Sequence, residues 1–345
     1  MINISLKNSL SVNGWKLNIM RNYIMATLLL SASFVTNANS ASSMAPQQAP
    51  QIIAHRGGTA DAPENTIPAI KKALANGADA IWITLQLSKD NIPVLYRPVY
   101  LNELTDKSGK VSDYTAQQLA QVDASFNYNK KHNIQPKSGS HIGIPTLDEV
   151  LKTFPTTTFY LDIKSPDADP EKFAKALQTI LKTTPKGEDN RLARTRVYST
   201  EDRYLDALGV LNKKQKKQNV LNGKNEAADE IQRFESRAFT RTQLANITMD
   251  HKCNLPTDNE ERWYGLELHR KVEVVEKYTS GEGRSNAILS WDKEAVDCFR
   301  KNANAHIIFF GINTPEDYQK AKELGANGVM VDSPAMFKKI VHGNK

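Results

Sequence analysis

The sequence predicts a (β/α)8 barrel. Short apolar runs recur at 51–54, 80–87, 92–96, 158–163, 195–199, 264–268, 286–291, 305–310 and 328–332. Helical patterns fall between many of them, at 66–76, 115–122, 147–153, 170–182, 201–211, 292–302 and 315–324. Strand-then-helix alternation calls for a parallel sheet with crossover helices. Polar residues follow at the strand ends, where a barrel gathers its site. The chain has 345 residues, 40% hydrophobic and 24% charged, enough for one such domain.

The amino-terminal stretch stands apart. Arg21 precedes the apolar run Ile24–Leu30, and small residues follow through Ser33, Ala38, Ser40 and Ala41. This reads as a cleaved signal peptide over 1–41, with Met20 as a second candidate start, and implies a secreted or periplasmic protein. No later apolar run is long enough to span a membrane, so the mature protein is expected to carry no integral membrane segment. Removing 1–41 leaves 42 basic against 38 acidic residues. That balance, spread along the chain, does not argue for a nucleic-acid partner. The cluster Lys213–Lys217 reads as a solvated face. Cys253 and Cys298 are the two cysteines, and in an oxidising compartment they are expected to pair.

The barrel domain is expected over 50–340. Its first strand, Ile52–Ala54, delivers His55 and Arg56 to a carboxyl end, followed by Gly57 and Gly58. Pro63-Glu64-Asn65-Thr66 then opens a helix. On the second strand, period-two alternation turns Ile81, Ile83 and Leu85 toward the helices and Trp82, Thr84 and Gln86 inward. Residues 123–146 show little periodicity and read as a long loop on the active face. Residues 212–262 are highly charged and read as an insertion. In Trp263–Arg270, alternation points Glu267 and His269 inward.

His55-Arg56-Gly57-Gly58 with Pro63-Glu64-Asn65-Thr66 resembles the glycerophosphodiester phosphodiesterase family. The closing run Gly325–Pro334 resembles that family's Gly-x-Asp-Gly-Ile-x-Thr-Asp-x-Pro pattern. The resemblance implies a barrel of the phospholipase C-like phosphodiesterase type. It also implies a small-molecule or lipid-derived phosphodiester substrate, two catalytic histidines, and a divalent cation, calcium or magnesium, held by acids. This chain departs at the metal and second-histidine positions. Trp82 and Thr84 stand where the family has metal-binding Glu and Asp, and Arg97 stands at the second histidine. Asp162 and Lys164 occupy the family's Glu-x-Lys element, leaving Asp162 as the retained metal-ligand position.

The expected site is therefore His55 and Arg56 as catalytic residues, with His269 replacing the second histidine. Arg97, Lys164 and Trp82 hold substrate, and Glu64 supports the first pair. The leading expectation is a phosphoric diester hydrolase with His55 as general acid/base. Fixed guanidinium charge takes over part of the cation's role, because an arginine cannot serve as a base but grips phosphate oxygens in pairs. Two other readings stand beside it. One is a phosphodiester-binding protein of this fold without turnover; the other is a metal-dependent enzyme whose cation is held by Asp162, Glu64 and Glu267.

Overall fold

The computed structural model describes residues 49–136, 141–225, 229–278 and 281–342. The expected signal peptide and the Met20 start lie outside them. No helix among the described residues is long and apolar enough to cross a membrane.

Seven parallel strands form most of a barrel wall: β1 (Gln51–His55), β2 (Ala80–Leu87), β4 (Thr158–Ile163), β5 (Thr195–Ser199), β6 (Arg262–Glu267), β9 (Ala305–Phe310) and β10 (Gly328–Val331). They are ordered β5-β4-β2-β1-β10-β9-β6. The gap between β5 and β6 is closed by extended chain at 231–235. There Val197 N donates to Gln232 O, Phe234 N to Val197 O, and Glu235 N to Trp263 O. Arg233 pairs with Val197 in parallel. With this segment the wall has its eighth member.

The helices are placed by local chemistry. In α1 (Ile67–Ala75), Thr66 caps the amino end by accepting from Ala69 N, with Pro68 in the first turn. The short α2 (Ala116–Leu119) and α3 (Phe126–His132) lie in the long β2–β4 connection. Thr146 caps α4 (Leu147–Thr153), and Asp169 caps α5 (Pro170–Lys182). α6 spans Asp202–Leu221 and carries Lys213, Lys214 and Lys217 exposed. α7 (Arg237–Asp250) is capped by Ser236, and α8 (Lys293–Phe299) by Asp292. α9 (Pro315–Glu323) and α10 (Pro334–His342) complete the outer layer.

The alternation expected for β2 holds. Ile81, Ile83 and Leu85 pack with helix residues such as Leu147 and Phe173, while Trp82 packs inside the barrel with Tyr160, Tyr198, Phe234 and Phe310. Cys253, just past α7, is bridged to Cys298 of α8.

Three expectations need correction. The run at 92–96 is not a barrel strand: β3 (Pro93–Leu95) pairs antiparallel with β2. The run at 286–291 lies mostly in β8 (Gly281–Ser290), which forms a two-stranded hairpin with β7 (His269–Tyr278). Residues 212–262 are not a plain insertion, since they finish α6, close the wall at 231–235 and supply α7. Charge masked this region because only Ile231 and Phe234 of the closing segment are buried.

Candidate active site

The carboxyl ends of the strands open into a cavity of about 570 Å³. His55, at the end of β1, stands on one wall. Its Nδ1 lies 2.6 Å from Asp332 Oδ1, which also accepts from Thr59 Oγ1 at 3.0 Å. Asn313 Nδ2 donates to Asp332 Oδ2 at 3.0 Å. The ionised carboxylate thus fixes the proton on Nδ1 and leaves Nε2 as the acceptor facing Arg56. The hydrogen bond from His55, aided by those of Thr59 and Asn313, holds the Asp332 carboxyl down at about 2 against the pull of burial.

Arg56 Nε donates to His55 Nε2 at 3.1 Å, and its Nη1 donates to Glu64 Oε2 at 2.6 Å. The backbone that presents this pair is left-handed at Arg56, Gly57 and Gly58, with φ of 51°, 80° and 94°. A side chain at Gly57 would meet Ala69 Cβ at 3.2 Å, and one at Gly58 would meet Pro334 Cδ at 3.0 Å. Both positions therefore require glycine. The Pro63–Thr66 motif anchors this turn. Glu64 holds Arg56, Asn65 N donates to Arg56 O, Asn65 Oδ1 accepts from Thr84 N, and Thr66 caps α1.

Beside the His55–Asp332 dyad, β2 and β4 supply the floor, with Trp82 in register with His55. Trp82 is 2% exposed, with the rings of Phe310 and Tyr198 edge-on at 5.0 and 5.1 Å. Its faces are covered, so it packs as floor and offers no platform for a stacked substrate. Its indole N–H reaches Asp162 Oδ2 at 3.5 Å. Asp162 is 7% exposed, and its Oδ1 has no hydrogen-bond donor. Burial raises its pKa, partly opposed by the Lys164 ammonium at 3.6 Å. Burial likewise lowers that of Lys164, whose Nζ donates to Thr200 Oγ1 at 2.6 Å.

Arg97 lines the cavity beyond β3. The Nε2 of buried Gln86 donates to the carbonyls of Pro98 at 2.6 Å and Tyr96 at 3.3 Å, clamping the backbone on both sides of Arg97. On the far wall stand Arg237, Arg241, Glu267 and Arg270. Arg237 donates to Glu267 and to Tyr198 Oη, and Arg270 Nη1 donates to Glu267 Oε1 at 2.9 Å. Burial works to raise the Glu267 pKa, but the guanidiniums keep it low.

The structure thus brings His55, Arg56, Arg97, Lys164, Trp82 and Asp162 to one cavity, with Glu64 behind Arg56. His269 is not among the lining residues. β6 ends at Glu267, the alternation breaks there, and His269 sits half-exposed with Nδ1 on Ser290 Oγ at 3.0 Å and Nε2 3.6 Å from Asp317. Asp332 was overlooked in the sequence although it closes a recognised run at a strand end. Arg237 and Arg241 were hidden in the stretch read as an insertion; their spacing of one helical turn just past a Ser cap was the available signal.

The pattern of the glycerophosphoryl diester phosphodiesterase family matches residues 55–336. The chain belongs to that family. Its members are phosphoric diester hydrolases, and it is similar to several known proteins over most of its length. The uncharacterised protein Rv2277c of Mycobacterium tuberculosis is 38% identical over 289 residues, 83% of this chain and 87% of that protein. The crystal structure of the latter's glycerophosphoryl diester phosphodiesterase domain superposes with a TM-score of 0.69 at 34% identity, covering 86% of this chain and 100% of that domain. The glycerophosphodiester phosphodiesterase of Bacillus subtilis is 27% identical, covering 94% of this chain and 99% of that enzyme.

The divalent cation general to the family does not fit the donors present here. A hard dication needs several oxygen ligands. Trp82 and Thr84 hold the two carboxylate positions of β2, Glu64 is bonded to Arg56, and Glu267 is bonded to Arg237 and Arg270. Asp162, Glu64 and Glu267 form no common ligand set: among the described residues no three His, Cys, Asp or Glu side chains are grouped to hold a metal ion. Cationic side chains line the cavity instead.

Proposed function

We propose that the chain hydrolyses a glycerophosphodiester or a related lipid-derived phosphodiester, with His55 as general acid/base and guanidinium charge in place of a cation. One observation carries this reading: the Asp332-oriented imidazole opens into a cavity ringed by Arg56, Arg97 and Lys164. A bound phosphate draws Arg56 toward its oxygens, which releases His55 Nε2. That nitrogen takes a proton from water as the water oxygen attacks phosphorus. The bond from phosphorus to the departing alcohol breaks, and the imidazolium returns the proton to the alkoxide. Arg56, Arg97 and Lys164 stabilise the charge that builds on the phosphoryl oxygens. The basic amino-terminal residue, apolar run and small residues of 1–41 support export, so the substrate is met outside the cytoplasm.

The test is turnover of glycerophosphocholine in excess EDTA. Persistent turnover, lost by more than about a hundredfold in His55→Ala, is the expected result. Turnover restored only by Ca²⁺ or Mg²⁺ refutes the arginine reading. Binding without cleavage, unaffected by His55→Ala, establishes the binding-protein reading instead. A specific contact favours that second reading: Arg56 Nε–H donates to the very nitrogen that must act as base.

A further inference from the structure

The cavity holds more positive charge than a phosphodiester needs. Six cationic side chains, Arg56, Arg97, Lys164, Arg237, Arg241 and Arg270, share it with the carboxylates of Asp162, Glu267 and Asp332. A phosphodiester carries a single negative charge.

The topology separates these cations. Counting the closing segment 231–235 as the eighth wall member, it lies four positions from β1 in either direction. Arg237 and Arg241 follow that segment directly, one turn apart on α7 and so on the same face. Arg270 follows β6, the neighbouring wall member. These three arginines therefore face His55 from across the barrel, away from the pair Arg56 and Arg97.

Their partners are incomplete. Glu267 serves both Arg237 and Arg270. The Nε of Arg270 is buried with no acceptor. Arg241 has no hydrogen-bond or ion-pair partner among the described residues, and besides burial it is the charges of Arg270 and Arg237 that most depress its pKa. The charges of Glu267 and Asp202 offset only part of the repulsion among these three guanidiniums, and an entering anion relieves the rest.

We propose that Arg237, Arg241 and Arg270 form a second anion subsite, which selects phosphodiesters whose alcohol carries a further anionic group, a phosphate monoester or a carboxylate. This rests on the hydrolytic reading of the site and adds to it the class of alcohol. The scissile phosphate sits against His55, Arg56 and Arg97, and the second anion bridges Arg241 and Arg270 on the far wall.

The experiment compares kcat/KM for glycerophosphocholine, glycerophosphoserine and glycerophosphoinositol 4-phosphate. The expected result is a preference of at least about tenfold for one or both anionic alcohols over choline, the size of one charge-assisted hydrogen bond. Which of the two is preferred tells carboxylate from phosphate monoester. Arg241→Gln and Arg270→Gln are expected to shrink that ratio toward one, and Arg241→Lys to retain most of it. Equal kcat/KM for all three substrates overturns the subsite while leaving hydrolysis intact. So does a loss in Arg241→Gln that is the same factor for every substrate, because the arginine then serves the scissile phosphate. If none is cleaved the hydrolytic reading fails, and calorimetric binding of the same three compounds decides the subsite: tighter binding of an anionic alcohol, lost in Arg241→Gln, supports it, and indifferent binding overturns it.

Discussion

Replacing Asp332 by Asn tests the centre of the proposed chemistry. The change is nearly isosteric, yet no orientation of the amide satisfies its neighbours. With Nδ2 toward Asn313, donor meets donor where Oδ2 now accepts at 3.0 Å. With Nδ2 toward His55, it meets the Nδ1 proton and the Thr59 hydroxyl, which share Oδ1 at 2.6 and 3.0 Å. One mismatched donor pair costs about 1–3 kcal/mol. The imidazole escapes by moving its proton to Nε2, the nitrogen needed as base. A loss of roughly 10²–10⁴ in kcat/KM follows. The assay is initial-rate hydrolysis of glycerophosphocholine, with a thermal melt to verify folding. A folded variant retaining more than half of the activity refutes the dyad. The same carboxylate has a pH signature. With its folded pKa at about 2, below its ordinary 3.8, Asp332 contributes stability in full above that ordinary value and loses it as pH falls toward 2. Each unit is worth about 1.4 kcal/mol. The side chain is 38% exposed, so solvent screening reduces the contribution to about 1 kcal/mol. Acid unfolding of Asp332→Asn is expected to be shallower by that amount between pH 4 and 2.

Other perturbations probe the supports. Gln86→Leu frees the backbone that presents Arg97; KM is expected to rise about tenfold with a smaller change in kcat, checked by steady-state kinetics. Gly58→Ala forces a side chain onto Pro334 at a left-handed residue, which is expected to cost about 1–3 kcal/mol in urea unfolding. Trp82→Ala opens a void among four aromatic rings and is expected to cost about 3–5 kcal/mol, read as a lower urea midpoint. Cutting the Cys253–Cys298 bridge, 45 residues apart, by reduction or by a double Ser variant is expected to remove about 4 kcal/mol, seen as a fall in Tm.

The legible parts of this molecule were those where one residue does one local job. The inward Trp82 and outward Ile81 followed from strand alternation, and the helices near 147–153 and 170–182 from their apolar periodicity. His55 and Arg56 were visible because strand ends converge in a barrel, and Arg97 because it stands where the family has its second histidine. What stayed hidden depended on contacts distant in sequence. Asp332 takes its role from His55, 277 residues away. His269 was misplaced because the chain bends at Leu268, between β6 and β7, and interrupts the alternation. The closing segment 231–235 escaped notice because it completes the wall without the apolar pattern of a strand. The run at 286–291 carries that pattern yet lies mostly in the hairpin.

That unconventional eighth stave has a mechanical consequence. A continuous strand such as β2 is held by partners along both edges, whereas 231–235 is stitched at Val197 and Trp263 by scattered amide bonds. Thermal breathing of the wall concentrates at that seam, beside the root of α7. Deuterium uptake should begin at Phe234 and Glu235 well before Ile53 or Ile83.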